Sequence, residues 1–124
     1  MYDESGDHLV TCFLRYQNQA RLLHWQTKKY ARHNAYGMLY DAISSKMDEF
    51  IECHMGKYGR VKAGAPIELK NIDDISISDF MDEMVDFLVG LTGMYDTKLD
   101  SDLLNIRDDL LGTVNKVKYL LTLE

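Results

Sequence analysis

The apolar residues of this chain fall into four stretches with helical spacing, joined by links of very different length. In the first, about Gly6 to Lys28, Leu9, Phe13, Tyr16, Ala20 and Leu23 recur at steps of four, three, four and three. Those steps keep the side chains on one face of a 3.6-residue helix. The second, about His33 to Met55, carries Tyr36, Leu39, Ile43, Met47 and Phe50. The third, about Ser78 to Tyr95, carries Phe80, Met84, Phe87, Leu91 and Met94, with Ser76 or Ser78 placed to cap it and Gly90 and Gly93 weakening its last turns. The fourth, about Ser101 to Leu121, carries Leu103, Ile106, Leu110, Val114, Val117 and Leu121, with Ser101 as N-cap. Only a weak Arg60–Lys62 stretch reads as strand.

Short links join the first helix to the second and the third to the fourth, so each pair reads as an antiparallel hairpin. Between the second and third lie Gly56 to Ile75, which include Gly56, Gly59, Gly64 and the single proline, Pro66. A structureless loop of that length is uncommon inside a compact domain. One long crossover running down a bundle gives it a use. The fold expected is therefore all-α: one domain over residues 1–124, a ferritin-like four-helix bundle with a single crossover between helices two and three.

The polar side of the second helix is patterned as well. His33, Gly37, Asp41, Ser44, Asp48 and Glu52 follow at steps of four, four, three, four and four, a second face beside the apolar one. A further imidazole, His24, ends the first helix next to Trp25. Imidazoles and carboxylates on bundle helices suit a transition metal. Within one straight helix, however, His33 and Asp48 stand about 22 Å apart at ~1.5 Å per residue, too far to share an ion. His24 and His33 meet at one end, either side of the turn. If two copies of the second helix pack antiparallel about a two-fold axis, His24 and His33 of one copy face Asp48 and Glu52 of the other, twice over. Asp41, Ser44 and Ser45 then lie near the axis, and Gly37 allows close approach or leaves room for water. Tyr30, Tyr36, Tyr40 and Trp25 read as filling of the bundle end and the seam between copies.

The run Leu22-Leu23-His24-Trp25-Gln26-Thr27, continuing through His33, Asp48 and Glu52, resembles the Dps-like mini-ferritins. Their first helix ends in His-Trp-Asn, and their second supplies a His, an Asp after three residues, then an Asp and a Glu four apart. The likeness covers roughly residues 9 to 123, with the specific motifs confined to the first two helices. It implies inter-subunit sites made by His24, His33, Asp48 and Glu52. It also implies iron as the metal, ferroxidase activity toward Fe(II) with peroxide or oxygen, and ferric storage in a dodecameric shell of two-fold dimers. In this chain Gly37 stands where the family has its Asp, and Gln26 where it has Asn. Asp41, one turn on, is placed to compensate in part through a water as an accessory ligand, and zinc can compete for such a four-ligand site. The motif with its glycine also resembles small phage-type proteins. That likeness goes with the competing reading, a non-enzymatic helical interaction protein whose polar dimer seam holds no metal.

The bulk numbers narrow the classes. A net charge of −6 and a pI near 5.1 disfavour nonspecific DNA binding. No apolar run is long enough to span a bilayer, and the acidic start Met1–Asp7 lacks a signal-peptide pattern. Cys12 and Cys53 have neither CxxC spacing nor disulfide density, as expected of reduced packing residues in a cytoplasmic protein. His8 and His54 read as surface residues. The acids Asp79, Asp82, Glu83 and Asp86 read as the start of a helix favoured by its dipole.

Overall fold

The computed structural model describes residues 4–123; the first three residues of the acidic start lie outside the described residues. Four α-helices pack around one apolar core: α1 (Glu4–Gln26), α2 (Tyr30–Tyr58), α3 (Ile77–Gly90) and α4 (Ser101–Leu120). No strand occurs among the described residues, and Arg60 makes only an isolated bridge. Each helix buries most of the face its spacing predicts; in the third, Met94, expected on that face, lies beyond the helix and is exposed, and Met81 and Leu88 are buried instead. Leu9, Phe13, Tyr16, Ala20 and Leu23 of α1 are all in the core, with Leu39, Ile43 and Phe50 of α2 and Leu110, Val114 and Val117 of α4. Phe13 joins three helices, its ring 5.6 Å from Phe50 and 5.3 Å from Phe87.

Side-chain links give the direction of every helix. α1 and α2 form a tight hairpin, tied midway by Gln17 Nε2 donating to Ser44 Oγ at 2.9 Å. Arg32 reaches Leu121, Lys46 reaches Asp109 and Lys57 reaches Asp102, so α2 and α4 run antiparallel. Lys118 pairs with Asp82 and Arg107 donates to the Leu88 carbonyl, so α3 and α4 are antiparallel too. Arg15–Glu83, Tyr16–Phe80 and Phe13–Phe87 set α1 antiparallel to α3. α3 therefore runs in the same direction as α2, and the chain between them must return the full length of the molecule.

It does so as a strap laid on α1. Lys62 N–H donates to Asp7 Oδ1 at 2.6 Å and Gly64 N–H to Thr11 Oγ1 at 3.1 Å. Gln19 holds Lys70 by both its N–H and its carbonyl at 2.8 Å, and Gln26 binds the Ile72 N–H and the Asn71 side chain, also at 2.8 Å. The extended strap has no ladder of its own, so polar residues of α1 satisfy its backbone groups. Gly6 lies under Val61, where an added Cβ would come within 2.1 Å of the valine methyl. A short 3-10 turn, Ile72–Asp74, then leads to Ser76, whose Oγ accepts from Asp79 N–H and caps α3.

Two expectations about helix ends are corrected. The third helix stops being α-helical at Gly90 and continues as a 3-10 turn, Leu91–Gly93, where glycines weaken α-helical order. Ser101 is the first residue of α4, not its cap; Asp100 takes that place. Asp100 is almost fully buried and accepts from the Tyr58 hydroxyl, from Asp96 N–H at 2.9 Å and from Lys57 Nζ at 3.0 Å. Burial pushes its carboxyl pKa up, but those three partners outweigh it and hold the group below its ordinary 3.8. A depressed folded value gives stability that is complete above the unfolded pKa and is lost as pH falls through the folded one. Asp100→Asn should therefore lower the melting temperature at neutral pH and narrow its distance from the wild type in acid, as thermal melts between about pH 7 and pH 3 would read. An unchanged gap across that range would mean that the carboxylate contributes no charge-dependent stability.

Candidate metal centre at the α1–α2 turn

The turn between α1 and α2 consists of only Thr27, Lys28 and Lys29, so the last turn of one helix lies against the first of the other. His24 and His33 face each other there, with ring centroids 3.8 Å apart and planes 20° from parallel. The pairing is reciprocal. His24 Nδ1 lies 2.7 Å from the His33 carbonyl, and His33 Nδ1 lies 2.8 Å from the His24 carbonyl. A carbonyl only accepts, so each Nδ1 carries a proton and donates it; in the neutral rings each Nε2 keeps its lone pair. A hydrogen bond from one ring nitrogen to a carbonyl is the usual way in which an imidazole is oriented to bind a metal through the other.

Gly37 has a local reason. A Cβ there would lie 3.1 Å from both Cε1 and Nδ1 of His24, so the glycine is the floor on which that ring rests. Where the sequence suggested close approach between copies, the space is taken by an imidazole of the same chain. Tyr30 stacks on the outer side of His33 at 6.4 Å and is 80 % exposed. Trp25 is 66 % exposed, with Arg21 above its ring at 5.4 Å; the same guanidinium lies 4.4 Å from the Tyr40 ring. Tyr36, by contrast, is fully buried in the core and belongs to no seam.

The carboxylates of the stripe lie elsewhere. α2 is one uninterrupted helix, so Asp48 and Glu52 are far from the imidazoles along its axis, and both are exposed. They line an apolar groove of about 210 Å³ between α1 and α2 with Val10, Leu14, Met47, Ile51 and Met55. Asp41 is exposed between the two ends. Ser44 is turned inward onto Gln17 and Tyr40, which removes it from the set expected near a two-fold axis. Among the described residues, no three His, Cys, Asp or Glu side chains of one chain converge on a point where an ion could sit. Two imidazoles are thus brought together within the chain.

The remaining candidates lie apart from the His24–His33 pair. His54, expected on the surface, is 1 % exposed, and its Nδ1 lies 2.7 Å from the Tyr95 hydroxyl. The signal for this was present in the spacing, since position 54 follows Ile43 and Phe50 on the apolar face. His8 is exposed and its ring touches Cys12 Sγ, whose thiol pKa is pushed up mainly by burial. Both cysteines are free. The acids of α3 are exposed; Asp82 and Glu83 are taken by Lys118 and Arg15. No helix among the described residues is long and apolar enough to cross a membrane.

The chain is 27 % identical over 101 residues to the "Uncharacterized 14.6 kDa protein in mobD-ri intergenic region" of Enterobacteria phage T4, covering 82 % of this chain and 75 % of that protein. No solved structure matches. A family model matches residues 24–121, from His24 to the end of α4, and through both imidazoles, Gly37, Asp48 and Glu52. The chain belongs to the Family of unknown function (DUF5856).

Proposed function

We propose that this protein is a ferritin-like, Dps-like metal-binding protein that holds Fe(II) at sites shared between two copies. The observation that carries the reading is the reciprocal His24–His33 pair, in which each ring spends Nδ1 on a backbone carbonyl and keeps Nε2 for a metal. The donor set fits the metal. Two neutral imidazoles need hard oxygen ligands to complete an iron site, and Asp48 and Glu52 are exposed at the other end of the same helix. A two-fold axis across the α1–α2 face brings those ends together and seats Trp25 and Tyr30 of one copy toward the apolar groove of the other. The connectivity supports a ferritin-like bundle: two antiparallel hairpins, joined by one crossover that runs the length of α1. Fe(II) is then substrate as well as ligand, with oxygen or peroxide as the oxidant, and zinc is its competitor. Closed assemblies up to a dodecameric shell are built from such a dimer. The free cysteines fit a cytoplasmic setting.

The test is an anaerobic Fe(II) titration of the metal-free protein, read on a sizing column with mass detection and followed by admission of oxygen. The expected result is saturation at one iron or more per chain on a dimer or larger assembly, then ferric absorbance. Absence of binding with a stable dimer would replace this reading by the metal-free interaction protein, for which the exposed Trp25, Tyr30 and groove are the favouring observation. A monomer that binds no metal would overturn both.

A further inference from the structure

A second concavity lies where the start of α2, the start of α3 and the end of α4 meet. It encloses about 270 Å³ and is lined by Ile77, Met81 and Leu121 with Ser78, Thr122, Arg32 and Lys118. Its walls are mostly apolar, and both charged residues that line it are cations. That is unusual in a chain of net charge −6. Lys118 already pairs with Asp82 at 2.7 Å. Arg32 is less committed: it makes one long bond, 3.4 Å, to the Leu121 carbonyl. Its guanidinium also lies beside the buried Tyr36 hydroxyl. The first turn of α3 forms part of the wall.

We propose that this groove binds a small amphiphilic carboxylate, its hydrocarbon chain against Met81, Ile77 and Leu121 and its carboxylate on Arg32. The assignment follows from complementarity. An apolar cleft alone would accept any greasy group, but a guanidinium at its edge presents a fork that matches two carboxylate oxygens. Lys118, shared with Asp82, adds a weaker positive field. The volume is just under the range of ordinary small-molecule sites, about 300 Å³ and up, which favours a short chain over a long one. Neither the His24–His33 pair nor the carboxylates of α2 take part, so the inference is independent of the metal site.

The experiment is calorimetric titration of the full chain, held metal-free with a chelator, using octanoate, octanol and acetate as probes. Octanoate should bind, octanol about tenfold or more weakly, and acetate not measurably, because a hydrogen bond to a charged group is worth that factor. Arg32→Gln should reduce octanoate to the level of octanol. Ser78→Trp, a change at an exposed position that fills the cleft, should block both while Arg32 stays intact. Equal binding of octanoate and octanol would overturn the carboxylate assignment. Failure of octanoate to bind, or binding untouched by Ser78→Trp, would overturn the site.

Discussion

Phe13→Ala should lower the unfolding free energy by about 3–5 kcal/mol, the usual cost of deleting a buried aromatic ring. Phe13 is 2 % exposed and sits between Phe50 of α2 and Phe87 of α3, with Tyr16 on the far side of Phe87 at 5.4 Å. α1 and α3 meet through few other groups, chiefly the Arg15–Glu83 ion pair and the Tyr16–Phe80 contact. The ion pair is partly solvated and worth at most about 1 kcal/mol, so the aromatic cluster must hold that side of the core. Against a typical total of about 5–15 kcal/mol, the loss brings the protein near its unfolding threshold. Denaturant titration should show a lower midpoint with an unchanged slope. A loss below about 1 kcal/mol would mean that the ring is not the junction of three helices.

For metal binding, the largest change is expected from His33→Ala. It removes one of two imidazoles and the ring on which His24 stacks, and affinity for Fe(II) or Zn(II) should fall at least ~100-fold, since even outer partners of metal ligands are worth 10–100-fold. The His33 backbone carbonyl stays to accept from His24 Nδ1, so helicity by circular dichroism should hold. Asp48→Asn should be as damaging, although Asp48 lies ~22 Å along α2 from His33. Mixing the two variants distinguishes a shared site from a local one. In a mixed dimer one site carries both lesions and the other carries neither, so a shared geometry restores one intact site per dimer. If the mixture binds no better than its components, the carboxylates and imidazoles do not meet across an axis.

How much of this was legible in the sequence can be traced residue by residue. The periodic apolar residues of α1 and α4 marked the core because burial on a helix depends on local spacing alone. The crossover was legible by length and by Gly64 and Pro66, and Gln26, which had registered only as a departure from a family motif, proves to be one of its anchors. The pairing of His24 with His33 at the turn followed from the short link. What escaped were features decided by contacts distant in sequence. Asp100 is buried at the start of α4 because Tyr58 and Lys57 reach it from α2, and the Tyr95 hydroxyl, 41 positions on, supplies the partner of His54, whose burial itself was legible in its spacing. Gly37 looked like a lost ligand; its reason is a neighbouring ring that no one-dimensional pattern displays.

The crossover also divides the molecule into places that tolerate added chain and places that do not. Its hold on α1 is concentrated at Lys62 and Gly64 on one side and at Lys70 to Ile72 on the other. Ala65, Pro66, Ile67, Glu68 and Leu69 between them are all exposed, and lengthening a loop costs only about (3/2)RT times the logarithm of its relative length. A peptide epitope or a reporter domain grafted into that span would hang from two fixed points, on a different face from the one carrying the imidazoles. The same insert a few residues earlier or later would pull an amide off its side-chain acceptor and loosen the strap from α1.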